Sequence, residues 1–322
     1  MPNSKEDYLP TASIELLKRR AKIIRAIRSF FDARGFFEVE TPLLSHDIVV
    51  DRHLHPISLE KQQVTGRESD RNVEMWLQTS PEFAMKRLLV AGATAIYQIC
   101  KAFRRGESGN RHNPEFTMLE WYRVGDDMAA GMNLLGELVQ ETLDTASPVS
   151  MSYRDAFLTF AGIDPYEASD EQLAKRASLE PEDRDEMLNV ILSTDVEPKL
   201  GFDAPVVLYH YPASQAALAR ESKQDGFAVA ERFEIYVRGV ELANGYSELV
   251  DATELRRRNR SVNLLRKQDN NSELPVESRL LNAMGAGLPA CSGTALGIDR
   301  LVMLATGAQS IKDVIPFPID RA

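Results

Sequence analysis

The run from Phe103 to Tyr122 constrains this chain more than any other: Phe-Arg-Arg-Gly-Glu-Ser-Gly-Asn-Arg-His-Asn-Pro-Glu-Phe-Thr-Met-Leu-Glu-Trp-Tyr. Two arginines, Arg104 and Arg105, precede a polar loop bearing Gly106 and Gly109, and the sequence then alternates as a strand does. Strand side chains alternate with period two, so Phe116, Met118, Glu120 and Tyr122 share one face. An aromatic ring, a carboxylate and a phenol lie on that face, and a cationic loop leads into it. Such an arrangement suits a nucleoside triphosphate lying beside a small amine.

The 322 residues give ample length for a buried core, as one large domain or two ordinary ones. Hydrophobic content of 43% and charged content of 27% describe an ordinary soluble protein. No stretch approaches the apolar length of a membrane span, and the opening Met-Pro-Asn-Ser-Lys-Glu-Asp lacks the basic start and apolar centre of a signal peptide. A cytoplasmic protein is expected. Cys100 and Cys291 have no metal-ligand spacing and read as small buried hydrophobes. The net charge of −10 argues against a surface that grips a tRNA backbone, because phosphate neutralisation supplies most of such affinity. The basic triplets Lys18-Arg19-Arg20 and Arg256-Arg257-Arg258 read as solvated helix faces.

Along the chain, Thr11 can cap a helix with apolar positions at Ile14, Leu17, Ala21, Ile24, Ile27 and Phe31, and Gly35 ends it. Phe37 to Pro42 alternates like a strand that stops at proline, and Val73, Met75 and Leu77 alternate in the next. Ser80-Pro81-Glu82 predicts a helix start with serine at the N-cap and proline at the first helical position. Ala95 to Phe103 is a strand. Residues from about 126 to 200 are helical in pattern, and Asp164 to Glu197 forms an acidic surface insertion. Val206 to Tyr209 reads as a buried strand, Phe233 to Glu248 as a hairpin, and Ile298 to Leu304 as a closing helix. A hairpin turn would be a structural alternative to any functional role for Asn244-Gly245. With no internal repeat or low-complexity linker, a single α+β domain spanning 1–322 is expected, with an acidic helical insertion around 164–200.

The Phe103–Tyr122 run resembles motif 2 of class II aminoacyl-tRNA synthetases, in the lysyl-tRNA synthetase branch. The long helix, strand and Pro42 resemble motif 1, which in that family forms a dimer interface. Gly287-Leu-Pro-Ala-Cys-Ser-Gly-Thr-Ala-Leu-Gly-Ile-Asp-Arg-Leu301 resembles motif 3. A fourth segment, Arg232-Phe-Glu-Ile-Tyr-Val-Arg-Gly-Val-Glu-Leu-Ala-Asn-Gly-Tyr-Ser-Glu-Leu249, is similar to the lysyl-tRNA synthetase run of Glu, then Glu-x-x-Asn-Gly-aromatic-Ser-Glu-Leu. The resemblance covers the catalytic core, an antiparallel sheet flanked by helices, and essentially the whole chain.

The resemblance implies roles residue by residue. Arg104 would contact the α-phosphate and the substrate carboxylate, for which a guanidinium's planar fork and permanent charge are suited. His112 and Arg300 would face the terminal phosphates, Asn113 would lie in the same ATP loop, and Phe116 would stack on adenine. Glu234 and Glu241 would hold magnesium on the phosphates, as hard oxygen ligands do. Glu248 and Tyr122 match the residues that receive the terminal ammonium of lysine. Ser80, Glu82 and Glu120 match those near the other amine, and Asn244 the one near the carboxylate. Three carboxylates converging on one pocket would repel one another unless cations neutralised them, and a diamine supplies two. Without the resemblance, His112 would be a loop-ordering histidine, Phe116 a core ring, and Glu234 and Glu241 exposed strand carboxylates.

Two departures stand out. The usual Arg-x-Glu reads Arg104-Arg105-Gly106-Glu107 here, one residue late, with Gly106 loose enough for Glu107 to reach. The middle glycine of the Gly-x-Gly-x-Gly-Ile-Asp-Arg pattern is Ala295. No anticodon-binding module fits before motif 1. A lone core, acidic charge and Ala295 together resemble the bacterial elongation factor P–lysine ligase family. That family activates (R)-β-lysine with ATP and magnesium and transfers it to a lysine of elongation factor P, with a lysine aminomutase supplying the β-lysine. Alternatives are a lysyl-tRNA synthetase core working with a separate tRNA-binding partner, and a regulatory paralogue, which typically lacks such arginines and carboxylates. An ammonia-dependent asparagine synthetase would want arginine where Glu82 and Glu248 stand. A homodimer is expected, with no membrane and tRNA disfavoured as a partner.

Overall fold

The structure, a computed structural model, describes residues 8–322. The Met-Pro-Asn-Ser-Lys-Glu-Asp opening used above for localisation lies outside the described residues. The chain falls into two compact units. The first comprises residues up to Val124, Val250–Pro289 and Gly297–Ala322, and the second Gly125–Leu249 with Ala290–Leu296. Both combine strands with flanking helices, and the strand pairs are mostly antiparallel, as an α+β class requires.

In the first unit the opening helix runs Ile14–Asp32 and is capped by Ser13, whose hydroxyl accepts from the Leu16 N–H at 3.2 Å. Thr11 is not its cap. The Thr11 hydroxyl instead donates to the Lys312 carbonyl at 2.6 Å, and its N–H to the Pro316 carbonyl at 2.9 Å, tying the start of the helix to the end of the chain. Ile27, Phe30 and Phe31 are buried, whereas Ile14 is exposed. Phe31 stacks on Tyr97 with centroids 4.8 Å apart and also meets Phe36 and Trp121. Gly35 turns the chain at φ +77°.

The next strand is shorter than its alternation predicts. It spans Phe37–Glu38, parallel to Ala95–Phe103, and gains one more backbone bond at Val39 before the ladder stops short of Pro42. Ala95–Phe103 and Glu115–Val124 pair antiparallel without a break, from Ala95 opposite Arg123 to Phe103 opposite Glu115. The polar loop from Arg104 to Pro114 therefore projects from the end of a rigid hairpin. Leu44–Ser45, Glu74–Leu77 and Ile57–Glu60 make a small separate sheet. The arginines of the basic triplets are engaged internally: Arg19 reaches the Ala305 carbonyl, Arg20 pairs with Asp299, Arg256 with Glu277, and Arg257 and Arg258 with Glu254.

In the second unit the strands lie in the order Cys291–Gly297, Val240–Ser247, Phe227–Val237, Val206–Pro212, Val149–Ser152, with Glu221–Gln224 paired to Phe227–Val237. Only the pair Val149–Ser152 with Val206–Pro212 is parallel. The hairpin turn falls at Arg238-Gly239, with φ +51° and +69°, as a two-residue turn with both central residues left-handed requires. Asn244-Gly245 is therefore not a turn. It lies inside Val240–Ser247, where a Cβ on Gly245 would come within 2.4 Å of the Phe233 ring.

The acidic stretch is also more than a surface addition. Helices Asp170–Ala177 and Arg184–Ile191 carry their charges outward, while Leu173, Met187, Ile191 and Val196 are fully buried with Tyr153, Phe157, Leu208 and Tyr236. An amphipathic pair of helices thus closes the core of this unit. The strand Val149–Ser152 interrupts the region that reads as helical throughout.

Candidate active site

The residues of the first unit expected to face an amine form one buried cluster. The helix Glu82–Val90 starts with Pro81 at its N-cap, one position earlier in the helix frame than its sequence suggests. Ser80 is thereby released for another task. Its hydroxyl accepts from the Glu82 N–H at 3.1 Å and donates to Glu120 Oε1 at 2.5 Å. Tyr122, two residues along the strand and on the same face, donates its phenol to Glu120 Oε2 at 3.0 Å. Glu82 forms an ion pair with Lys86, one helical turn on, whose side chain is 1% exposed. Burial first, then the charge of Glu82, pushes the Glu120 carboxyl up to about 7, against the opposing pull of Ser80, Tyr122 and Lys86. Lys86 escapes motif reasoning, although its i,i+4 spacing from Glu82 is the ordinary signal for a helical ion pair.

The same unit gathers the phosphate candidates. Arg104 opens the loop, its backbone N–H bonded to the Pro114 carbonyl at 2.9 Å. Its guanidinium sits 5.0 Å from the centre of the Phe116 ring, and its buried Nε has no hydrogen-bond partner. Gly106 adopts φ +86°, and Glu107 folds back to 3.6 Å from Arg104, so the late glutamate does reach its arginine. Arg300, near the start of the helix Ile298–Thr306, donates to His112 Nε2 at 2.6 Å and also lies against the Arg111 carbonyl. Burial, then the charge of Arg300, holds the His112 ring below its ordinary value, and Arg104 and Arg111 add to the effect. Three arginines around one neutral imidazole make a site that favours oxyanions. Asn113 is buried, and its amide is bonded at both ends to backbone, donating to the Glu115 carbonyl and accepting from Ile319 N–H. It shapes the loop.

In the second unit Glu234 is almost fully buried. Oε2 accepts from the phenols of Tyr211 and Tyr236, and Oε1 accepts from Arg232, which also donates to the Gln215 carbonyl and lies over the Tyr211 ring. Glu241 stands opposite Tyr236 on the neighbouring strand and is partly exposed. A carboxylate offers about four lone-pair sites. Three on Glu234 are filled, so one lone pair of Oε1 remains for an ion, with Glu241 as the more open ligand. These residues fit a magnesium ion, which needs few protein ligands. Arg232 and Tyr236 alternate with Glu234 along one strand, a spacing the sequence shows, whereas Tyr211 comes from the neighbouring strand Val206–Pro212 and was not legible as its partner.

Asn244 lies opposite Glu234 on one side and Ala295 on the other. Its Nδ2 donates to the Tyr246 phenol at 3.2 Å, and its Oδ1 is buried without a hydrogen-bond partner. Glu248 is 3% exposed, with its N–H on the Cys291 carbonyl. Cys291 is buried and Cys100 partly so, and neither is in a disulfide.

Residues 7–321 match the family described as tRNA synthetases class II (D, K and N). A protein of Histophilus somni (strain 2336) named elongation factor P–(R)-beta-lysine ligase is 48% identical over 323 residues, covering 98% of this chain and 99% of that protein. Proteins of the same name from Avibacterium paragallinarum and Salmonella typhi are 48% and 47% identical, covering 99% and 98% of this chain and 100% and 98% of their own lengths. No helix among the described residues is long and apolar enough to cross a membrane. The hairpin bearing Arg104, the helix bearing Arg300 and this match along nearly the whole sequence lead to one conclusion: the chain belongs to the class II tRNA synthetase family of the D, K and N type.

Proposed function

We propose that this protein uses ATP to activate (R)-β-lysine, with lysine as a weaker substrate, and transfers it to a lysine side chain of elongation factor P. The observation that carries the reading is the arginine cluster around His112, beside a strand whose Glu120 is set to receive an amine, in a chain whose full-length relatives bear the ligase name.

The substrate carboxylate attacks the α-phosphorus of ATP, pyrophosphate leaves, and the acyl-adenylate forms. The ε-amine of the acceptor lysine, once deprotonated, then attacks the acyl carbon and AMP leaves. Arg104 takes the carboxylate and α-phosphate oxygens and stabilises the charge that builds in the pentavalent transition state. Its unpartnered Nε supports that role. Arg300 and His112 take the terminal phosphates, and Phe116 carries the adenine. Glu82, Glu120, Ser80 and Tyr122 form the polar wall for a substrate ammonium, and Asn244, Glu248 and Ala295 belong to the substrate-binding set. Glu241 with Glu234 would hold magnesium, which supplies neutralisation of phosphate charge.

The acidic net charge and the internal engagement of the five arginines of the two basic triplets favour a protein acceptor over tRNA. The reading includes one catalytic domain over the full chain, a homodimer through the helical stretch 11–34 and the extended segment ending at Pro42, an aminomutase supplying β-lysine, and a cytoplasmic location where translation runs.

The test is mass spectrometry of elongation factor P after incubation with this protein, ATP and each lysine isomer. One lysyl increment, larger in extent with (R)-β-lysine, is expected. Charging of purified tRNA at a comparable rate would replace this reading with that of a synthetase core.

A further inference from the structure

Among the buried charges of the first unit, Lys86 has no role in the reaction described above. Its side chain is 1% exposed, deeper than Glu82, and its ammonium forms an ion pair with Glu82 within the same helix. Its Nζ also lies 6.0 Å from the centre of the Tyr122 ring. A lysine taken that far from water is costly unless a carboxylate partners it. Glu120, by contrast, receives two neutral hydroxyls, from Ser80 and Tyr122. The two glutamates therefore differ: one is given an internal cation, and the other is hydrogen-bonded but not neutralised.

We infer that Lys86 is a positioning residue: it neutralises Glu82, so that this wall presents one carboxylate, Glu120, to one substrate ammonium. The inference rests on the amine-binding reading of the site and refines it, since Glu82 becomes a structural partner and Glu120 the receiver. The charge count is simple. Glu82, Glu120 and Lys86 sum to one negative charge, and a single ammonium brings the group to neutrality. Without Lys86 the two carboxylates would face each other buried, and one would have to bind a proton or a second cation.

The ionisable groups around Glu120 are few. Glu82 and Lys86 come from the helix, Tyr122 from its own strand, and Cys100 from the neighbouring strand, its thiol pushed up to about 12 by burial and then by Glu120. The helix Ile298–Thr306, which also packs on the strand, carries Asp299 and Arg300, engaged with Arg20 and His112 respectively. Glu120 is ionised only as pH rises through about 7, so ammonium binding strengthens over that range. Removing Lys86 takes away a charge that favours the ionised form, and the range moves to higher pH.

The experiment compares the intact protein with Lys86→Met, Lys86→Arg and the double variant Lys86→Met/Glu82→Gln. Two readouts are followed from pH 5.5 to 9: pyrophosphate exchange with (R)-β-lysine, and the carbon-13 titration of the Glu120 carboxyl in the unliganded protein, assigned with Glu120→Gln. In Lys86→Met, KM for the amino acid at pH 7 should rise roughly tenfold with KM for ATP unchanged, and both midpoints should move to higher pH. Lys86→Arg, which keeps the charge, should bring the midpoints back. The double variant restores the charge count, and its midpoint should return to that of the natural protein even if turnover is lower. If Lys86→Met does not fold, recovery of folding in the double variant supports the pairing, and failure of both overturns it. A Glu120 midpoint that is the same in the natural protein and in a folded Lys86→Met overturns the inference. If the natural protein shows no exchange with any diamine while the carbon-13 midpoint moves as stated, the function proposed above falls and the role of Lys86 in setting this charge stands.

Discussion

Arg20 and Asp299 face each other at 2.5 Å, their side chains 12% and 3% exposed. Asp299 Oδ2 also accepts the Thr117 N–H at 2.8 Å, and Arg20 donates to the Thr117 hydroxyl at 2.9 Å. One carboxylate and one guanidinium thus lock the first helix, the closing helix and the phosphate-loop strand together. Asp299 precedes Arg300 in the chain, so the lock also fixes where Arg300 points.

Breaking that lock from both sides should cost less than the two single losses added together. Asp299→Asn leaves the Arg20 charge buried without its partner, and a loss of about 3 kcal/mol is expected by denaturant unfolding. Arg20→Met alone should cost a similar amount, and the double variant clearly less than the sum of the two. Additive losses would mean that the pair is not coupled. KM for ATP should rise in each single variant, because Arg300 loses its support.

Glu120 should give stability an unusual pH dependence. Its folded value of about 7 lies above the ordinary 4.5, so between those limits the folded protein holds its proton more tightly than the unfolded chain. The contribution is fully present below pH 4.5, declines as pH rises, and is gone above about 7. It amounts to at most about 3 kcal/mol. Unfolding free energies of the natural protein and Glu120→Gln, measured from pH 4.5 to 8, should differ by a curve that falls over this window. A flat difference would show that Glu120 titrates normally.

Gly245 should tolerate no side chain. Gly245→Ala places a methyl 2.4 Å from the Phe233 ring and 2.7 Å from Thr294 Oγ1 in a strand whose neighbours are fixed by pairing on both sides. A loss of about 1–3 kcal/mol is expected, read by thermal or denaturant unfolding. Phe233→Leu in the same protein should recover part of it by making room. A neutral Gly245→Ala would mean that the sheet yields more easily than its packing indicates.

The motifs brought most of the candidate site into view, because such chemistry needs fixed residue types at fixed offsets. Alternation from Phe116 to Tyr122 correctly places Glu120 and Tyr122 on one face, where they bond to each other. What pattern could not supply was partnership. Glu234 reads as a metal carboxylate, yet three donors from two strands surround it, one of them Tyr211 from a strand 23 positions earlier. Lys86 falls in none of the motifs, yet it is buried beside the residues that do. The turn dipeptide Asn244-Gly245 misleads for a related reason. Its glycine answers to a ring packed against it and not to a reversal of the chain, and that ring lies on the partner strand. The acidic insertion misleads because its charges occupy one helix face while the other closes a core.

Ala295 should tilt the protein toward β-lysine. It stands directly opposite Asn244 in the antiparallel pair, so the two side chains share a face of the sheet, and Asn244 is the residue expected near the substrate carboxylate. In β-lysine the first amine is one carbon farther from the carboxylate than in α-lysine. That leaves space at the carboxylate end which a methyl group can occupy, whereas the amine of α-lysine would crowd the same methyl. One methylene is worth roughly 1–3 kcal/mol in such a site, so the expected preference is about 10- to 200-fold. Ala295→Gly should raise kcat/KM for α-lysine and leave that for β-lysine similar or lower. Tyr122→Phe should weaken both isomers alike, because Tyr122 is expected at the terminal ammonium, which the two isomers share. If Ala295→Gly left the ratio of the two kcat/KM values unchanged, Ala295 would be a packing residue of the sheet, and the isomer preference would have to come from elsewhere.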